Sequence, residues 1–458
     1  MRTVRGANAR AAAPGTHWLG VSLTSTWFLV ALTATALALL ATSAALAHWR
    51  VVVGGVGVAA GIVAVVAVWF AVVDPLHAGF PQSFFLWGAA PVLALVLAVW
   101  TWPRRSWWRR LVGVAAVPVG VAFAAATINA HYAYFPSIAA LRGEKAHDQV
   151  SHRTVVSIVQ AARTSATLPP RGVVLSLDTP TPRSRFHPRG MFVYLPPAWF
   201  SVPRPRLPVL MLIAGSPGTP ADWTRSAAAD LLFDGFASTH RGVAPILVMP
   251  DVNGSAFADT ECVDGPRGNA ETYVVDDVRR FVIDHYGATS DPRSWAVGGL
   301  SEGGTCALVL SLRHPGLFGS FLDFGGEIAP TIAGPELADL YGGNRQALVA
   351  HLPTHLLDHQ AHPGLAAWFE VGLGDRSARV AARRLAPLVV AAGGQACFVE
   401  RTGGHNFIFW HEALRHSLPW IVSRLASRRR TPRQRARKRA ATPPRHQRGD
   451  DAAPRTGR

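Results

Sequence analysis

The chain has 458 residues, 49% of them hydrophobic, and a formal net charge of +17; this length and apolar content exclude a disordered or collagen-like polymer and call for more than one structural unit. The charge is localised, because residues 428–458 carry eleven Arg and one Lys against two Asp, a net +10. That tail has no interleaved aromatic residue and no nucleic-acid reader motif, so a nucleic-acid partner is not expected; it reads as a basic disordered tail or as a contact to anionic lipid or envelope polymer.

Residues 1–130 hold a single acidic side chain, Asp74, and nine of the fifteen Trp. Apolar runs at 27–47, 51–73, 84–100 and 111–128 each approach the roughly 20 residues a bilayer-spanning helix needs. They predict about four transmembrane helices, with the lipid bilayer as partner. Trp49, Trp69, Trp87, Trp100, Trp102, Trp107 and Trp108 lie at or near the edges of the runs, where an amphipathic ring favours the headgroup layer. The first run is too long, and too closely followed by others, for a cleaved signal peptide. An even number of spans puts both ends on one side. Arg50, Arg104, Arg105, Arg109 and Arg110 then oppose Arg2, Arg5, Arg10, Arg142 and Lys145, so the positive-inside rule leaves orientation open. The density of the 104–110 cluster favours an outward C-terminal domain. Residues 131–170 read as a connector ending at Pro169-Pro170.

From 171 to 427 short β-rich runs alternate with helical stretches, the pattern of an α/β domain around a mostly parallel sheet. Strands are predicted at 173–177, 191–195, 209–213, 246–249, 295–299, 367–371 and 396–399. Helices are predicted at 221–237, 272–286, 302–313, 336–352, 377–392 and 407–425. Cys262, Cys306 and Cys397 have no metal-ligand spacing; either Cys262 and Cys306 are a bridge in an exported domain or all three are small buried residues.

The most informative motif is Gly299-Leu300-Ser301-Glu302-Gly303, a G-x-S-x-G between a predicted strand and a predicted helix. A nucleophile elbow needs small neighbours because the turn is tight, and it leaves Ser301 at a helix N-terminus with the Glu302 N–H facing a developing oxyanion. A serine hydroxyl needs a base and an orienting acid, expected in the order Ser, Asp/Glu, His. His405, in Gly403-Gly404-His405-Asn406, follows the last predicted strand and is the expected base. Asp375 immediately follows another strand and is the expected acid; Glu370, inside that strand, is the alternative. The second oxyanion N–H is assigned to Ser216 in Ala214-Gly215-Ser216-Pro217, since Pro217 has none. His351, His355, His359 and His362 crowd one stretch and read as surface or lid residues rather than metal ligands. The reaction requires no metal and no organic cofactor.

Residues 170–425 resemble the esterase D / antigen 85 branch of the α/β-hydrolases, including mycolyltransferase-like esterases of actinobacteria. The resemblance is carried by Ser301, His405 and the loop after Ile213, with Val193-Tyr194-Leu195-Pro196-Pro197, Val248-Met249-Pro250-Asp251, Asp259-Thr260-Glu261-Cys262 and Arg313-His314-Pro315-Gly316 in order. It implies an α/β-hydrolase fold, acyl transfer through serine, and export. Ala214-Gly215-Ser216-Pro217 departs from the Asp-Gly-Leu-Arg type of antigen 85, and Asp375 lies where esterase D relatives carry their acid, which points to a general esterase. The expected substrate is an ester, from an envelope lipid or glycan. The competing expectation is a non-catalytic membrane scaffold on a hydrolase fold that binds envelope polymer or lipid.

Overall fold

The computed structural model describes residues 21–73, 82–102, 106–142, 160, 168–256, 258–332 and 335–426. The basic tail and most of the stretch between 143 and 167 lie outside the described residues.

The N-terminal part is four helices, α1 (Thr26–Ala45), α2 (Trp49–Val73), α3 (Gln82–Thr101) and α4 (Trp107–Tyr132), each long and apolar enough to cross a membrane. Helix is the conformation that satisfies every backbone group within the segment, which an apolar solvent demands. Their few polar side chains obey the same rule. The hydroxyls of Thr33, Thr42 and Thr127 donate to the carbonyls of Leu29, Ala38 and Phe123 at 2.7, 2.7 and 2.9 Å.

Helix α4 ends in a closed hook. Ala133 turns left-handed at φ 53° and its N–H meets Asn129 O at 2.6 Å. The Asn129 amide then holds the Phe135 backbone at both ends, donating to its carbonyl at 2.8 Å and accepting its N–H at 2.7 Å. Just beyond, Leu23 N–H donates to Pro136 O (3.1 Å) and Ile138 N–H to Val21 O (3.2 Å). The start of α1 and the end of α4 therefore lie side by side, as an even number of crossings requires.

The C-terminal part is built on an eight-stranded sheet: β1 (Val173–Leu177), β2 (Met191–Leu195), β3 (Val209–Ile213), β4 (Ile246–Pro250), β5 (Trp295–Leu300), β6 (Ser320–Phe324), β7 (Ala366–Gly372) and β8 (Gln395–Arg401). The spatial order is β1-β2-β4-β3-β5-β6-β7-β8. Only the pairings of β2 with β1 and β4 are antiparallel; the rest are parallel. Both faces are covered, so the central strands are nearly continuous apolar runs. In β3, Val209, Met211 and Ile213 enter one core and Leu210 and Leu212 the other. Helices α5 (Glu302–Arg313) and α6 (Arg376–Ala391) pack on the first face, through Leu308 and Leu310 and through Ala381 and Leu385. Helix α7 (Phe407–Ala426) packs on the second through Ala413, Leu414 and Ile421. Ala133, from the α4 hook, is buried in that second core.

The structure corrects the expected elements at several points. Strand β6 was not expected. The 221–237 helix is two, Asp222–Arg225 and Ala229–Thr239, because Ala228 sits at φ 50° between them. The 272–286 helix contains a π-helical stretch, Tyr273–Val278. The 336–352 helix is two short ones, Glu336–Asp339 and Arg345–Val349, parted by Gly342 and Gly343 at φ 58° and 82°.

Candidate active site

All the strand ends that matter lie on one rim, the carboxyl edge of the parallel strands, where α/β sheets place their ligands. Ser301 follows β5 directly, with φ 54° and ψ −128°, a strained conformation for a residue with a side chain. Its N–H is pinned to Phe324 O on β6 at 3.2 Å. The tightness of this turn explains both flanking glycines. A Cβ on Gly299 would lie 1.9 Å from Gly303 O, and one on Gly303 would lie 2.1 Å from Ile213 O.

His405, on the loop after β8, brings Nε2 to 2.9 Å from Ser301 Oγ. Its Nδ1 lies 2.7 Å from Asp375 Oδ2. With Nδ1–H donating to the carboxylate, Nε2 is left as the acceptor for the serine proton. Asp375 uses its other oxygen to cap α6, accepting Ala378 N–H at 3.3 Å. One carboxylate thus anchors a helix and orients an imidazole. Glu370 is turned elsewhere: Oε1 meets His416 Nδ1 at 3.0 Å and Oε2 accepts Trp368 Nε1–H at 2.9 Å. Of the two candidate acids, the structure brings Asp375 to His405.

The loop after β3 presses on Ser301, since a Cβ on Gly215 would come within 2.9 Å of Ser301 Cβ. Ser216, next in the chain, is held by its hydroxyl donating to Ala258 O at 3.0 Å. Gly218 N–H donates to Ala256 O at 3.1 Å, while Arg189 bridges Gly218 O (3.0 Å) and the Asp251 carboxylate (2.8 and 2.5 Å). The described residues of the 251–263 loop therefore brace the loop after β3. They are in turn fastened to α5 twice: Asn253 Nδ2 donates to Glu302 Oε2 at 2.7 Å, and Cys262 is disulfide-bonded to Cys306 with a Cα–Cα separation of 5.5 Å. Cys397 is a free thiol.

Several carboxyls around the rim lie beyond what the sequence reading picked out. Asp323 at the end of β6 is fully buried, and burial raises its pKa to about 7 despite a 2.6 Å bond from Gly326 N–H; the charge of Asp375 pushes the same way. Glu327 is also raised to about 7, by burial and by Asp259, with His405 opposing. Glu302 is pushed well above the carboxylate range by burial and by Asp259. The histidines of the 351–362 stretch are placed apart from this chemistry: His351 bonds Glu271 Oε2 (3.0 Å) and Ala347 O (2.7 Å), and His355 faces His359.

A strained serine at a strand-to-helix elbow, on a mostly parallel sheet covered on both faces, is the arrangement of an α/β-hydrolase. The chain belongs to the esterase family described as "Putative esterase", which matches residues 186–421. A curated relative, an uncharacterised protein of Corynebacterium glutamicum, is 30% identical over 431 residues, spanning 89% of this chain and 98% of its own. Among solved structures, a ferulic acid esterase is similar at 20% identity and TM-score 0.47, covering 56% of this chain and 99% of its own. The S-formylglutathione hydrolase of Agrobacterium tumefaciens is similar at 19% identity and TM-score 0.46, covering 57% and 98%. MPT51 of Mycobacterium tuberculosis follows at 16% identity and TM-score 0.43, covering 55% and 98%. The chain is an esterase-family hydrolase domain preceded by four helices of membrane-spanning length.

Proposed function

We propose that this chain is a membrane-anchored serine esterase or acyltransferase that works through an acyl-Ser301 intermediate on a lipid or envelope ester. The observation that carries the reading is the unbroken line Asp375–His405–Ser301, with contacts of 2.7 and 2.9 Å. Ser301 Oγ attacks the ester carbonyl carbon while His405 Nε2 takes the hydroxyl proton. Asp375 stabilises the imidazolium that forms. The tetrahedral oxyanion receives the N–H groups of Glu302 and Ser216, donors fixed before the charge develops. As the intermediate collapses, His405 returns the proton to the departing alcohol. Water or a second alcohol then enters, deprotonated by the same imidazole, and releases the acyl group.

The hydrolase domain is assigned to the outer face of the membrane. The Cys262–Cys306 disulfide supports this placement, since such bonds persist in oxidising compartments. So does the density of arginine in the 104–110 stretch of the sequence, between the third and fourth apolar runs.

Ser301→Ala tests the reading directly. The variant is expected to lose all covalent labelling by a fluorophosphonate probe and all turnover of a short-chain ester. Stoichiometric labelling that persists in the variant removes Ser301 from the nucleophile role.

A further inference from the structure

We propose that residues 133–135, where the chain leaves α4, belong to the catalytic apparatus: they position the oxyanion loop and His405 relative to one another, so the membrane bundle sets reaction geometry as well as location. This inference rests on the reading of Ser301, His405 and Asp375 as an acyl-transfer triad.

Tyr134 is the centre of the argument because it touches both halves of the site. On the oxyanion side, the Arg225 guanidinium lies 4.5 Å over the Tyr134 ring and 4.9 Å over Phe135. Ser226 Oγ donates to Tyr134 O at 2.6 Å. Arg225 is ion-paired with Asp222, which is almost wholly buried and also faces the Tyr134 hydroxyl. Asp222 holds the end of the oxyanion loop, accepting Thr219 N–H at 2.8 Å, three residues after Ser216. Burial and the neighbouring Asp222 carboxylate push the Tyr134 hydroxyl up to about 12.

On the base side, three edge-on ring contacts lead from Tyr134 to the catalytic imidazole. Tyr134 meets Phe407 at 5.4 Å, Phe407 meets Trp410 at 4.8 Å, and Trp410 meets His405 at 4.9 Å. Such pairs favour a defined orientation as well as contact. Helix α7 is also tied across to the oxyanion side, with His411 Nδ1 at 2.8 Å from Ala227 O.

A flexible linker could not transmit position, but this exit is fixed. The double Asn129–Phe135 bond and the left-handed cap at Ala133 make residues 129–135 one rigid hook. A small displacement at a reacting centre can lower rate by orders of magnitude without altering binding, which is the signature expected here.

The test uses the full chain in detergent micelles and p-nitrophenyl acetate, a water-soluble ester that needs no bilayer. Tyr134→Ala is expected to lower kcat about ten- to a hundredfold, with KM close to wild type and a parallel drop in the rate of fluorophosphonate labelling at Ser301. Tyr134→Phe, which keeps the ring against Phe407 and Arg225, should recover most of the loss. A folded Tyr134→Ala protein with wild-type kcat overturns the inference. Should that variant not accumulate folded, Arg225→Lys carries the test, because lysine keeps the charge and loses the planar stack; wild-type kcat there overturns it equally. Turnover that survives Ser301→Ala sinks the triad reading instead, which separates the two failures.

Discussion

Asp375 shows how much one side chain can be asked to do. Its two oxygens serve different partners, one the first turn of α6 and the other the His405 ring. Glu370, five residues earlier, has both oxygens committed to Trp368 and His416. Replacing either carboxylate by its amide therefore separates catalysis from packing. Asp375→Asn is expected to lower kcat by about 10⁴-fold, since the amide favours the wrong imidazole tautomer. Glu370→Gln is expected to leave kcat near wild type and lower stability by about 1–3 kcal/mol, the cost of disturbing a buried polar pair. Steady-state kinetics and urea unfolding on the two variants check the contrast, and a large kcat loss in Glu370→Gln would contradict the assignment.

At the scale of elements, β6 repays attention because its buried Asp323 makes stability depend on pH. A pKa near 7 in the folded chain, against the ordinary 3.8, means that the native state keeps a proton which the unfolded chain has released. The stability this contributes is complete below about pH 4 and is lost as pH rises through 7. Glu327, also raised to about 7, acts in the same direction. The melting temperature is expected to fall between pH 5 and 8, with a shallower slope in Asp323→Asn; an unchanged slope would count against a protonated Asp323. The same strand shows where sequence reasoning stops. The elbow, the β3 strand and the His405 loop were legible because local rules dictate them: glycine at a tight turn, apolar residues on a strand buried on both faces. Ser-Phe-Leu-Asp-Phe was not legible, because a carboxyl within a run of five residues contradicts a buried strand until its Gly326 partner is known. The break at Ala228 and the Asn253–Glu302 bond were hidden for a similar reason. Each depends on residues distant in the chain or on packing that no local pattern records.

For the whole molecule, the four helices were readable from hydropathy alone, while the side of the membrane was not, because five basic residues face five. The outward assignment predicts that alkaline phosphatase fused after Ala426 will be active and that a cytoplasmic reporter at the same point will be silent; the reverse pattern refutes it. The Asn129 hook bears on kinetics in another way. On the proposed membrane-anchored reading, a hydrolase swinging on a loose leash would sweep a hemisphere of solvent, whereas one held to the end of α4 through Arg225 and Ser226 on Tyr134 would keep Ser301 at constant height and move only as the bundle diffuses in the plane. Encounter would then be a two-dimensional problem: if the proposed substrate is a bilayer-borne ester, its turnover should scale with molecules per unit area of membrane, and diluting the vesicles at fixed surface density should leave it unchanged; a rate that falls on dilution would contradict the anchored reading.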